Sequence, residues 1–199
     1  MADDTSGRPV RRPRMTAERE IELLVAALDE LREVGYEALT MDAVAARGRC
    51  SKATLYRQWQ SKPQMIAAAL YATRPVDAGE IDTGTLRGDL LALGGELAAH
   101  AEKDTALFAA LAHASLTDRA LASAVRTTLL EPETAHLATF IERAIRRGEL
   151  AASPDAIAFV PHLVFVALVS RPLFEDAYAD PEYLTRFIDQ VVLPVLQHG

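Results

Sequence analysis

Thr40–Ile66 reads TMDAVAARGRCSKATLYRQWQSKPQMI, and the spacing of its capping residues decides the fold. Thr40 and Ser51 are residues that cap helix N-termini, because a short side-chain oxygen accepts one of the orphan amides of the first turn. Each precedes a short run with helical spacing, over 41–47 and 52–58, and only Gly48, Arg49 and Cys50 separate the two. Two short helices joined by a three-residue turn make a helix-turn-helix. A further helix opens at Ser61-Lys62-Pro63-Gln64, where Ser61 and Gln64 form a capping box and Pro63 sits in the first turn. It runs through Met65, Ile66, Ala69 and Leu70 to the break at Arg74-Pro75.

Working outward, Thr16 caps a helix over 17–34, whose apolar positions Ile21, Leu24, Val25, Leu28 and Leu31 recur at three and four before Gly35 stops it. Residues 1–15 read as a disordered arm carrying Arg8, Arg11, Arg12 and Arg14, a composition that suits a minor groove or simply water. Downstream, the pattern predicts helices at 85–102, 105–115 and 118–147, the last kinked or broken at Pro132 and closed by Gly148. Ser153-Pro154 and Asp180-Pro181 are cap-plus-proline starts for helices at 154–170 and 181–197. The Gly79–Gly84 stretch reads as a loose linker. The fold class is all-α: a helix-turn-helix head over 16–74, and a helical effector-binding and dimerisation body over 75–199.

The chain of 199 residues is 50% apolar and 25% charged, as in ordinary globular proteins. Its net charge of −7 hides an asymmetry. Residues 1–74 hold 12 Lys+Arg against 10 Asp+Glu, and residues 75–199 hold 9 against 18. A basic head on an acidic body fits a modular DNA binder. The single cysteine, Cys50, excludes an internal disulfide and fits a reducing, cytoplasmic setting. The first twenty residues carry charges and no apolar signal core. The longest uncharged apolar run, 156–170, is shorter than the ~20 residues that span a bilayer, so no membrane is expected.

The stretch from Thr40 to Lys62 resembles the DNA-binding head of the TetR family of transcriptional regulators. Thr40, Val44, Ala45, Ser51, Leu55, Tyr56 and Lys62 fall on that family's positions, and Trp59 stands where it has Phe. Arg49 occupies the usual turn glycine and Cys50 the usual valine, with Gly48 one position earlier. The resemblance implies that Thr40, Tyr56 and Lys62 contact phosphates. A helix opening at Ser51 with Lys52, Ala53 and Thr54 presents its amides and small polar side chains to the major groove. Lys52, Ala53 and Thr54 are therefore the candidate base readers, with Arg49 and Arg57 beside them, while Val44, Ala45, Leu55 and Trp59 form the apolar seam.

The 154–170 helix is apolar on every face, and 181–197 carries the stripe Leu184, Phe187, Ile188, Val191, Val192 and Val195. Pairing both helices with their symmetry mates would bury Ile157, Val160, Val164 and Leu168 together with that stripe, which makes the protein a homodimer. Phe108, His113, Phe140, His162 and Phe165 are the candidate lining of a pocket for a small apolar or amphipathic effector. Phosphate-cradling, nucleophile-elbow and zinc motifs are missing, and the five histidines lack ligand spacing. No cofactor, metal or catalytic centre is expected. The reading is a homodimeric regulator, released from a near-palindromic double-stranded operator by its effector. The alternatives are a DNA-binding dimer without effector and, from another class, a small all-helical enzyme.

Overall fold

The computed structural model describes residues 15–151 and 155–198. The arginine arm and the Ser153-Pro154 start lie outside the described residues, apart from Met15, which packs on the head core.

Four helices build the head: α1 (Ala17–Ala38), α2 (Met41–Arg47), α3 (Lys52–Trp59) and α4 (Lys62–Ala72). Each begins where its cap lies, with Thr16, Thr40, Ser51 and Ser61 accepting from the amides of Arg19, Ala43, Thr54 and Gln64. Gly35 takes φ +77°, so α1 proper stops at the expected glycine and adds one extra turn beyond it.

The body contains α5 (Leu86–Thr117), α6 (Arg119–Val125), α7 (Glu131–Arg146), α8 (Val160–Glu175), α9 (Pro181–Phe187) and α10 (Leu193–His198). The break expected between 102 and 105 is absent, and α5 is one helix of 32 residues. Tertiary contacts hold it there: Asp104 receives Arg32 of α1 at 3.1 Å, and Thr105 is buried beside Leu168. Wide helical turns over Arg126–Leu130 and Ile188–Val192 join α6 to α7 and α9 to α10. Each precedes a proline, Pro132 or Pro194, whose missing N–H leaves a carbonyl free, so the chain absorbs the defect without breaking. The 79–84 stretch is anchored: Arg143 donates to Ile81 O at 2.6 Å, and fully buried Asp89 accepts from the Thr83 amide at 2.7 Å.

The cut at residue 74 does not divide the core. Leu23, Leu28, Val44, Leu55 and Ile66 of the head share one cluster with Leu107, Leu111 and Ala114 of α5 and Leu121 of α6. A second cluster joins α5, α7, α8 and the C-terminal helices through Leu90, Phe140, Val160, Ile188 and Val192.

This packing corrects part of the dimer-interface expectation. Val160, Leu168, Leu184, Ile188 and Val192 are buried within the protomer. The three-four stripe of the last helix turns inward onto α5, where Gly94 makes room: a Cβ there would lie 2.9 Å from Ile188 Cδ1. Ile157, Val164, Phe187, Val191 and Val195 are half-buried. What stays outside is the far face of α8 with its flanks, where Phe159 is 63% exposed, Phe165 41%, Val166 55%, Leu173 82% and Phe174 80%.

The α8 element also differs in extent from the sequence expectation, beginning as a 3-10 turn over Asp155–Phe159 and running through Pro172 to a left-handed stop at Asp176. By length and composition Asp155–Glu175, 21 residues whose most apolar 18-residue window has mean hydropathy 1.8, would suffice to cross a membrane, which the fifteen-residue uncharged run did not suggest. Its far end is tied back by Arg171, which donates to Tyr178 O at 2.7 Å and Asp180 at 2.8 Å and lies over the Tyr183 ring.

Candidate nucleic-acid interface

Leu55 and Trp59 of α3 are buried, while Ser51, Lys52, Ala53, Tyr56, Arg57 and Gln58 face solvent. A helix locked by one apolar edge and bare on the rest is shaped to enter a groove. Val44 and Ala45 of α2 complete the buried seam as expected.

Local chemistry in the turn explains the unusual Gly48-Arg49 order. Gly48 is needed for closeness, since a Cβ would fall 2.6 Å from Leu23 Cδ2 of α1 and 3.2 Å from Val44 O. Arg49 then takes the left-handed conformation, φ +49°, that glycine would otherwise supply. Arg19 at the start of α1 clamps the turn by donating to the carbonyl oxygens of Gly48 and Arg49. Gly48→Ala is expected to cost ~1–3 kcal/mol through overpacking. Arg49→Gly should stay within ~1 kcal/mol of wild type, because relief of left-handed strain offsets the added chain entropy. Urea midpoints of the two variants check this order.

Several expected contact residues are already engaged. Lys52 Nζ donates to Asp42 Oδ2 at 2.6 Å, which holds the lysine pKa above its usual value. Thr54 and Ser51 share a hydroxyl–hydroxyl bond of 2.8 Å. Lys62, half-buried, donates to Tyr36 O at 2.9 Å with its ammonium 4.1 Å from the Tyr36 ring centre. The Tyr36 hydroxyl donates to Asp118, the N-cap of α6, at 2.7 Å. Burial and that bond raise the tyrosine pKa, while the Leu121 amide and the same bond lower that of Asp118. A polar chain therefore runs from the body to the first turn of α4. Thr40 spends its side chain as a cap and is exposed; Tyr56, Ala53 and Arg57 are exposed.

The positive charge of the head is less free than its count suggests. Arg19, Arg32, Arg47, Lys52 and Arg74 each lie within ion-pair distance of a carboxylate. Among the described head residues, Arg49, Arg57 and Lys62 have no such partner, Lys62 being held by the Tyr36 carbonyl instead. Sequence reading missed Asp42, Arg19 and Gln58, the last donating to Glu20 of α1 at 3.1 Å. No local signal marks a cross-helix pair.

Residues 23–69 match the sequence model for bacterial regulatory proteins of the tetR family, and residues 80–191 match that of the tetracyclin repressor-like C-terminal domain. The chain belongs to the TetR family. It is 34% identical over 183 residues to the DNA-binding transcriptional repressor TetR of Mycobacteroides abscessus, covering 91% of this chain and 95% of that one. It is also 34% identical over 187 residues to an uncharacterized HTH-type transcriptional regulator of Mycobacterium tuberculosis, covering 89% and 88% of the two chains. Among solved structures, the TetR family transcription regulator SCO0332 superposes with TM-score 0.65 at 28% identity, covering 89% of this chain and 98% of that one. A Rhodococcus sp. member of the family shares the fold at TM-score 0.73 and 19% identity, covering 92% and 100%. The protein is accordingly a TetR-family DNA-binding transcriptional regulator, and these relatives carry regulator names.

The structure does not bring the expected pocket residues together. Phe140 is core, His113 is exposed on α5, and Phe165 is exposed on α8. His162 is exposed as well, its Nδ1 3.2 Å from Ala158 O. Phe108 lines a cavity of about 20 Å³ between α5 and α8 that is also walled by Pro75, Leu97, His100, Asp104 and Leu168. That is the space of about one water.

Proposed function

We propose that the protein is a homodimeric repressor that grips a near-palindromic operator with two copies of α3 and releases it when a small apolar or amphipathic effector enters the body. The exposed N-terminal half of α3, locked from behind by Leu55 and Trp59, is the observation that carries the DNA reading. Lys52, Ala53 and Thr54 with Arg49 and Arg57 are assigned to base edges; Thr40, Tyr56 and Lys62 are assigned to phosphates. A 34%-identical relative that is named a repressor supports repression. The contiguous apolar face of α8 supports the dimer, because exposed patches beyond ~300–600 Å² are rare on monomers. A cytoplasmic setting follows from the proposed role.

One observation favours the reading without an effector: the cavity between α5 and α8 holds about one water. An effector would therefore have to part these helices. Melting shifts across a compound panel separate the two readings, since a ligand that binds only the folded state raises its stability. A compound that raises Tm is expected to release operator DNA, and operator should weaken that compound by the same factor. A stabilising compound whose affinity is identical with and without operator would uncouple body from head and leave the assembly-only reading ahead.

A further inference from the structure

We propose that Asp42 determines the specificity of the recognition helix by holding the Lys52 ammonium, so that this lysine is available to neutral base edges and withheld from phosphates. Asp42 stands in the first turn of α2 and Lys52 opens α3; their side chains meet across the turn at 2.6 Å. Both remain about half or more exposed, Lys52 at 49% and Asp42 at 66%. Of the ion pairs among the described head residues this is the one that takes a cation from α3, whereas those of Arg19 and Arg47 brace α1 and α2 and that of Arg32 ties α1 to α5.

A carboxylate on the face that meets DNA calls for an explanation, because it repels the phosphates that supply non-specific affinity. The chemistry of the ammonium supplies one. Lysine has three N–H donors, and Asp42 takes one of them. The others can reach a guanine edge, which offers the O6 and N7 acceptors without net charge. An approaching phosphate meets the Asp42 charge beside the same donors, and the local charge of the pair sums to nothing. Wrong sequences, which offer α3 only backbone, thus gain less from Lys52 than the operator does, which is specificity achieved by penalising the wrong partner.

The test uses the full-length protein with two duplexes: one enriched from random DNA by this protein, and a scrambled version of it. Asp42→Asn keeps size and polarity, and an exposed pair is worth too little to threaten folding; circular dichroism and Tm confirm this. Expected is a rise of about threefold or more in affinity for the scrambled duplex, the scale of an exposed ion pair. The log–log salt slope there should steepen by about one per protomer as Lys52 turns to phosphate. Enriched-duplex affinity should change less than about twofold, so the preference ratio falls. In a Lys52→Met background, Asp42→Asn should leave that ratio and slope unchanged. Equal tightening on both duplexes, an unchanged slope, or the same effect in the Lys52→Met background would overturn the proposal. Loss of binding to both duplexes by the wild-type protein would count instead against the DNA-binding role itself.

Discussion

Val192→Asp is expected to abolish the folded protomer, whereas Phe165→Asp leaves it folded and breaks only association. Val192 is 0% exposed in the cluster that joins α5, α7, α8 and the C-terminal helices. An unpaired carboxylate there has no partner, and burying a charge without one costs several kcal/mol after relaxation. That loss is comparable to the whole ~5–15 kcal/mol that keeps a domain folded. Phe165 is 41% exposed on the outer face of α8, next to Val166, so a charge there meets water in the monomer and would meet a second apolar face only in the proposed dimer. Sedimentation velocity and circular dichroism on both variants separate the cases. A folded, dimeric Phe165→Asp protein would remove α8 from the interface, and a folded Val192→Asp protein would contradict the core described for the body.

Operator affinity should fall by about 10²–10³ between 50 and 200 mM salt. The head offers Arg49 and Arg57 without carboxylate partners, and Lys62 retains donors beyond the one given to Tyr36. The two heads of the proposed dimer therefore bring roughly four to six uncompensated cations against the duplex, on base edges or on phosphates, and each releases close to one counterion, giving a log–log slope of about −4 to −5. The paired residues Arg19 and Arg47 should add little: Arg19→Ala acts through the turn it clamps, and Arg47 is held by Glu30 and Glu33. Arg57→Ala should reduce the slope by about two per dimer. A nearly flat salt dependence would mean that the exposed face of α3 is not the DNA-binding surface.

The head was legible in the sequence because its determinants are local. Thr16, Thr40, Ser51 and Ser61 bond amides three residues ahead, and such contacts depend on no distant partner. Gly48 and Arg49 could be flagged as a departure from the family pattern, yet their reason was not local: the glycine answers Leu23 of α1, and Arg49 inherits the left-handed position. Periodicity also located the apolar stripe of the last helix but could not say what it faces. Leu184, Ile188 and Val192 meet their own chain at α5 rather than a second copy, and the unpaired surface is the other side of α8. The continuity of α5 through Lys103 and Asp104 was likewise hidden, since the contacts of this segment with Arg32 and the neighbourhood of Leu168 are long-range. Pocket residues were the least legible, because aromatic and histidine positions on helices do not reveal whether they converge.

The most direct measurement is selection of bound duplexes from random double-stranded DNA by the wild-type protein, repeated with Lys52→Ala. Wild type should enrich two inverted half-sites about one helical turn apart, as two α3 helices on one face of the duplex require. Lys52→Ala should change the preferred base at a symmetric position in both half-sites, at a cost of ~1–3 kcal/mol for each base the lysine no longer reads. Enrichment of a single asymmetric site, or a wild-type motif kept unchanged by Lys52→Ala, would contradict the assignment of α3 as the paired recognition helix.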